Sequence, residues 1–441
     1  MFKEDNRWLN ICMIGPGRIL KMMTERKIRT HRIDELETVV EAGRILMESG
    51  AEIYRIEETM THMAAALQIE RFSAYVINRG IFASGINHKG IQESKIISTP
   101  DYEIHLGRIE AVNALSRELD AKKGSMTVEE LFSRLQEIRK EIIPPLWKTL
   151  LVYFISIFFL SIAIGSAWPN ALASALSVLV MGLVVNLIEK HIRSSVLLTI
   201  IKCIVITVSA NILYQLGIGS QRGIIILGAF ILLVPGALYT NAIREFSENN
   251  YSTGMSLLLT SVVICFSMAV GALLGTELLP FADQMTEYIP AIISSPTFIL
   301  VRAAAAGIGT AAFAFLYHSP RRYYPDQGMM GAVSWLLCMV MDMLFHKSVL
   351  SIFTAAFTAS ILSRFLAVRR KCPRTVFLSI SIFPLLPGLS LFWSIYLLMT
   401  GSTPNALISM RSCFMSAFAI ALAISSVQQI PERFFTRLAG K

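Results

Sequence analysis

The sequence predicts an α-helical polytopic membrane protein, ten transmembrane helices as 5+5 inverted repeats, with an N-terminal α+β cytoplasmic domain. Three observations predict it. First, the composition divides in two. Of 441 residues, 54% are hydrophobic and only 16% are charged, against roughly 25% charged in a soluble protein, and mean hydropathy is +0.56. The charge gathers before about residue 140; after about 146 come apolar runs near the ~20 residues that cross a bilayer. Second, Ile231 to Tyr239 and Phe383 to Leu391 each set a Pro-Gly pair inside a long apolar run, 152 residues apart. Proline removes a backbone donor and glycine loosens the chain, so each run is expected to be a membrane helix broken near its middle. Third, loops between the apolar runs are alternately basic and nearly free of Lys and Arg, which fixes orientation.

Residues 1–33 have no continuous apolar core and read as a flexible leader, not a signal peptide. Residues 34–145 read as the cytoplasmic domain. From Asp34, Leu36, Val39, Val40, Gly43, Leu46 and Met47 recur at helical spacing, and Ser49-Gly50 closes the run. A second helix buries Ile53, Ile56, Met60 and Met63. Phe72 to Ile77 and Ile81 to Ile86 flank Asn78-Arg79-Gly80 as a hairpin, with a third strand near Ser94 to Ser98. Thr99-Pro100 is expected to open the next helix, and Thr127-Val128-Glu129-Glu130 is a capping box for the last.

Residues 146–276 are the first membrane repeat, with spans near 146–165, 168–188, 195–215, 223–246 and 252–275. An external acidic linker, 277–295, carries Glu277, Asp283 and Glu287. The second repeat, 296–430, has spans near 296–317, 328–346, 349–368, 375–399 and 406–430, and residues 431–441 form a cytoplasmic tail. Lys190, Arg193, Arg244, Arg321, Arg322, Arg369 to Lys371, Arg374 and Arg433 occupy one set of loops. That puts both termini inside. It also explains the net charge of +9 without nucleic acid. Trp168-Pro169-Asn170 opens span two and Tyr324-Pro325-Asp326 stands before span seven, 156 residues apart. With five spans in each, the two repeats must be inverted.

Matched interrupted spans point to the binding site of a secondary transporter. Pro235, Gly236, Asn241, Pro387 and Gly388 are therefore the candidate substrate-binding residues. Ionisable residues inside spans are costly, so Arg244, Arg302, Asp342 and Arg411 are candidates for gating or proton coupling, with snorkelling as the alternative. In the soluble domain Glu52, Tyr54, Arg55 and Glu58 form a polar cluster in which Arg55 can reach both carboxylates along one helix face. It reads either as a solvated face, or as an anion- or zwitterion-binding surface or contact with the membrane domain. His62, His88 and His105 share no ligand spacing, the six cysteines are scattered, and neither a metal nor a cofactor is implied. No nucleophile–base pair or phosphate loop marks an enzyme.

Gly50 to Met60, Gly80-Ile81-Phe82, Asn113 to Arg117, Val234-Pro235-Gly236 through Ala242-Ile243-Arg244-Glu245, and Pro384 to Gly388 together resemble the bacterial threonine/serine exporter family over about residues 35–430, in its fused two-half form. Some members of that family are split into two subunits and linked to dicarboxylate export. The resemblance implies a secondary exporter of threonine, serine or similar small polar amino acids in the bacterial cytoplasmic membrane, driven by the proton motive force. The expected partners are a small polar amino acid or organic acid, protons and the lipid bilayer, with a homo-oligomer left open. The alternatives are an exporter of a small dicarboxylate such as succinate, or a membrane-tethered cytoplasmic enzyme or sensor domain.

Overall fold

The computed structural model describes residues 34–77, 79–99, 103–121, 126–140, 144–279, 296–346 and 348–438. The leader, the linker residues Asp283 and Glu287, and Pro100 lie outside them. The N-terminal domain opens with α1 (Glu35–Glu48) and α2 (Ile53–Ala66). The Asp34 side chain caps α1 by accepting from the Glu37 amide at 2.5 Å. Strands β1 (Glu70–Ile77), β2 (Gly80–Ile86) and β3 (Gln92–Ser98) form an antiparallel sheet in that order. Its inner face, with Val76, Ile81 and Ala83 buried, packs with Val39, Ile45, Met60 and Met63 into one core. Its outer face exposes Tyr75, Phe82 and Ile96, which pair directly across the three strands.

Helices α3 (Leu106–Ala121) and α4 (Val128–Arg139) complete the domain. The Thr127 side chain caps α4 as the capping box requires, accepting from the Glu130 amide at 3.2 Å. The helix expected from Pro100 begins only at Leu106. The amides of Glu103 and His105 are held instead by the carbonyls of Glu48 and Ser49, which keeps this stretch out of helical geometry.

The membrane part follows as α5 (Leu146–Ala163), α6 (Trp168–Ile188), α7 (Ser195–Gln215), α8 (Arg222–Phe230), α9 (Gly236–Ser247) and α10 (Tyr251–Leu278). Then come α11 (Pro296–Leu316), α12 (Tyr324–Phe345), α13 (Ser348–Arg370), α14 (Thr375–Ser381), α15 (Gly388–Met399), α16 (Thr403–Gln428) and the short α17 (Glu432–Leu438). Among the described residues eight helices are long and apolar enough to cross a membrane. They become nine if the pair 375–381 and 383–399, bent by 41°, counts as one. The stretch 222–247 falls outside that count because it is split into helices of 9 and 12 residues.

Packing in the two halves corresponds. Helix α7 lies on α10 as α13 lies on α16, and α5 packs on α6 as α11 packs on α12. The second half of each broken helix, α9 or α15, leans on the last helix of the other half, α16 or α10, while α5 and α11 pack on each other. Pro169 and Pro325 each sit in the first turn of a helix, α6 and α12. Tyr324-Pro325-Asp326 thus opens its helix and does not merely precede it, because proline fits a first turn that needs no amide there.

The N-terminal domain docks mainly on the second half. The amides of Leu106 and Gly107, at the start of α3, donate to the carbonyls of Tyr317 and His318 just past α11, both at 2.9 Å. The rings of His105 and His318 stack at 4.5 Å, and Glu110 pairs with Arg322 at 2.6 Å.

Candidate functional site between the helix breaks and the N-terminal domain

Each break has the same local cause. At the first, the amides of Leu233 and Val234 turn back to the Phe230 carbonyl and Gly236 bonds Val234. Pro235, which has no amide, then takes φ −82°, ψ 44° and starts α9. At the second, Leu385 and Leu386 bond back to Ile382 and Phe383, and Pro387 takes φ −81°, ψ 36° before α15. The two prolines share one backbone conformation, and each hands over to a glycine at the first residue of a helix.

Those two glycines touch. A Cβ placed on Gly236 would lie 3.2 Å from both Cα and N of Gly388. One placed on Gly388 would lie 3.1 Å from Cα and N of Gly236 and 2.9 Å from Cγ2 of Val234. Only glycine lets the two backbones approach this closely. The breaks therefore cross at a point where two helix N-termini start together, each with first-turn amides that have no partner inside the helix. The Cys413 thiol braces the crossing by donating to the Pro387 carbonyl at 3.5 Å.

Beside the crossing lies a cavity of about 700 Å³, lined mainly by apolar side chains and bordered by Pro235, Gly236 and Gly388. A smaller pocket of about 80 Å³ lies between the breaks and the N-terminal domain and shares Ala237 and Leu386 with the larger one. Polar groups make up a larger share of its lining than of the larger one's: Thr240, Asn241, Thr253, Thr375 and Ser379 stand among apolar side chains, closed by Glu52 and Arg244. The Thr240 hydroxyl is buried there with no hydrogen-bond partner among the described residues.

Glu52 closes the pocket with a single carboxylate that bridges the two halves. Its Oε1 accepts from Nη1 of Arg244, in the last turn of α9, at 2.7 Å. Its Oε2 accepts from the Tyr54 hydroxyl at 2.5 Å and from the Thr375 hydroxyl, at the start of α14, at 3.3 Å. Arg374 completes the set, donating to the Tyr54 hydroxyl at 2.6 Å. Glu52 and Arg244 are both buried. Burial alone would raise the Glu52 pKa, but the guanidiniums of Arg244, Arg374 and Arg55 outweigh it and hold the carboxyl at about 2. Burial and the adjacent Glu52 charge push the Tyr54 phenol above its ordinary value. Glu52 stands at the N-cap position of α2, yet its side chain makes no capping bond. It turns across the domain boundary instead.

Of the candidate residues, the structure brings Glu52, Tyr54, Arg55, Arg244 and Asn241 together here, with Pro235, Gly236, Pro387 and Gly388 at the crossing. Arg55 stands between the two carboxylates, its Nε 3.8 Å from Glu52 and the charge of the exposed Glu58 also acting on it. Arg302 lies elsewhere, buried, donating to the Ala163 carbonyl at 2.8 Å. Asp342 is half-exposed on α12 and Arg411 exposed on α16; no ion pair between these two is found among the described residues.

Comparison with known proteins adds the family. The model described as "Putative threonine/serine exporter" matches residues 37–279, more than half of the chain. The chain belongs to the threonine/serine exporter family. A second model, "Threonine/Serine exporter, ThrE", matches residues 302–430. The "Probable threonine/serine exporter" of Mycobacterium tuberculosis is 20% identical over 450 aligned positions, covering 96% of this chain and 82% of that protein. An uncharacterised protein of Schizosaccharomyces pombe is 25% identical over 276 positions, 59% of this chain but 35% of its own length. No solved structure matches the chain.

This exporter is thus a membrane transport protein, and its family supports amino-acid export. The sequence pattern did not single out Thr240, Thr375 or Arg374 as site residues of the exporter. Arg374 registers in the sequence as an orientation charge, and Thr240 and Thr375 are hydroxyls in apolar runs. The available signal was that the two most patterned segments, around Glu52 and around Arg244, both carry charge where a partner is needed.

Proposed function

We propose that this protein exports threonine, serine or a similar small polar amino acid across the bacterial cytoplasmic membrane by alternating access, driven by proton entry. The single observation that carries the reading is the bridging Glu52 carboxylate, which seals a small polar pocket next to two crossed helix breaks. In this reading 222–247 and 375–399 are each one broken span, giving ten spans as two inverted repeats of five, with the N-terminal domain and C-terminus cytoplasmic. The corresponding packing of the two halves supports it.

The solute enters from the N-terminal-domain side when Glu52 leaves Arg244. Arg244, whose Nη2 keeps its contact with Glu245 at 3.6 Å, then turns Nη1 to the solute carboxylate, and Thr240, Asn241, Thr253 and Ser379 offer hydroxyl and amide groups to the rest. The first-turn amides beyond Gly236 and Gly388 suit a carboxylate further along the path. Because the domain is fixed to the second half through α3, the Glu52–Arg244 pair ties it to the first half. Breaking that pair lets the repeats rock. Asp342 is the candidate proton carrier near the external end.

The excess of arginine over carboxylate around Glu52 favours one rival reading, a small dicarboxylate such as succinate. Purified protein in proteoliposomes separates them: threonine and serine counterflow well above leakage, stimulated by an inward proton gradient, is expected. Succinate flux alone would transfer the assignment to the rival, and no flux of any of the three would end both readings.

A further inference from the structure

A second polar cavity, of about 780 Å³, lies on the other side of Tyr54 and Arg374, between α2, α3 and the ends of α13, α16 and α17. Arg55, Arg117, Arg364, Lys371 and Arg374 line it, against the carboxylates of Glu58, Glu248 and Glu432. Cations therefore exceed carboxylates by two. The hydrogen bonds of these arginines run to neutral acceptors. Arg364 Nη1 donates to the carbonyls of Val427 at 2.6 Å and Ile430 at 2.7 Å, Arg117 to the Lys371 carbonyl, and Arg374 to the Tyr54 hydroxyl. Arg55 Nε is buried with no hydrogen-bond partner among the described residues, its nearest carboxylate oxygen, from Glu52, lying 3.8 Å away. Arg55 and Arg374 also face Glu52, and with that carboxylate counted the cluster still keeps a net positive charge; its members come from several directions, two helices of the N-terminal domain and two segments of the second membrane half.

We infer that this cavity binds a phosphate-class oxyanion. Arginine forks are suited to phosphate and carboxylate oxygens, and a tetrahedral anion can be met from several sides at once, whereas a planar carboxylate presents two oxygens in one plane. The anion can come from a soluble phosphate compound or from the headgroup of an anionic lipid, since the cavity is partly walled by the ends of membrane helices. Arg374 and Tyr54 belong to both this cavity and the Glu52 bridge, so occupancy bears on the seal without requiring that the exported solute be known.

The test uses full-length protein and reads binding, not transport, so it stands or falls apart from the exporter reading. Thermal unfolding is followed in detergent with inorganic phosphate against chloride at equal ionic strength, and in nanodiscs of phosphatidylglycerol against phosphatidylcholine. We expect a saturable rise in melting temperature in at least one arm, phosphate marking a soluble ligand and phosphatidylglycerol alone marking a lipid. Lys371→Gln, at an exposed position, and Arg117→Gln should each weaken the apparent affinity about tenfold, the value of one charge-assisted bond. Lys371→Gln guards against a folding defect in the arginine variant. No rise in either arm, or a rise unchanged in both variants, overturns the inference.

Discussion

Glu52 stays ionised because three guanidiniums outweigh its burial, and that balance has consequences at the scale of one residue. Glu52→Gln keeps the shape but leaves the buried Arg244 guanidinium without its closest carboxylate and with only the longer contact to Glu245, at 3.6 Å. Removing one partner of such a pair costs about 3–5 kcal/mol, so the purified variant should melt several degrees lower. Arg244→Gln should do the same, and the double variant should lose less than the sum of the two. The pH dependence follows from the sign of the shift. The folded pKa, about 2, lies below the ordinary 4.5, so the stabilisation is complete above the ordinary value and is lost as pH falls through the folded one. The melting difference between wild type and Glu52→Gln should be flat from about pH 5 to 8 and shrink below about 4.5; a difference that instead grew on acidification would contradict the assignment. The sequence displayed Glu52, Tyr54 and Arg55 as a cluster on one helix. It could not display their partner, because Arg244 lies 192 residues away and i, i+3 spacing records only neighbours along a helix.

At the scale of elements, the two breaks were legible and pointed to one shared site, but their direct contact was not legible. Proline and glycine in an apolar run announce a local loss of helix. Nothing local announces that Gly236 and Gly388 touch, since that follows from the packing of α9 and α15. The contact makes its own prediction. Gly388→Ala puts a methyl 2.9 Å from Val234 Cγ2 and 3.1 Å from the Gly236 backbone, and backbone cannot yield as a side-chain end can. Overpacking of this kind costs about 1–3 kcal/mol, and spreading the crossing should cut transport at least tenfold while the protein still reaches the membrane. Gly401→Ala is not an equivalent control despite its open surroundings, because Gly401 has φ +84° and an added side chain would be strained there. Leu407→Ala, at an exposed position of α16 outside the crossing, serves better and should leave flux near wild type. The missed start of α3 has a similar origin: Thr99-Pro100 is a sound local helix signal, but the carbonyls of Glu48 and Ser49 claim the amides of Glu103 and His105, and a tertiary contact overrides the cap.

At the scale of the whole molecule, the N-terminal domain is fixed to the second half by main-chain hydrogen bonds from Leu106 and Gly107, by stacked histidines and by Glu110–Arg322. The bond from Glu52 to Arg244 reaches the first half. Composition made the soluble and membrane parts separable by eye, and the recurring Pro-Gly and aromatic-proline motifs made the duplication visible. How the domain sits on the membrane part was not legible, because its docking rests on backbone groups and on side chains whose types are ordinary in loops. In the proposed mechanism the domain works as a seal that must release one half for solute to pass. The most direct test is a reducible cross-link across that seal. The two side chains meet at their tips, farther apart at Cβ than a disulfide spans, so Glu52→Cys with Arg244→Cys, in a protein whose native cysteines are replaced by serine or alanine, is joined by a short bifunctional methanethiosulfonate reagent and reconstituted, and threonine flux is measured before and after reduction. The account predicts that cross-linking stops flux and that reduction restores it, with each single-cysteine variant keeping its flux after the reagent. Equal flux in the fully cross-linked and the reduced protein would contradict it.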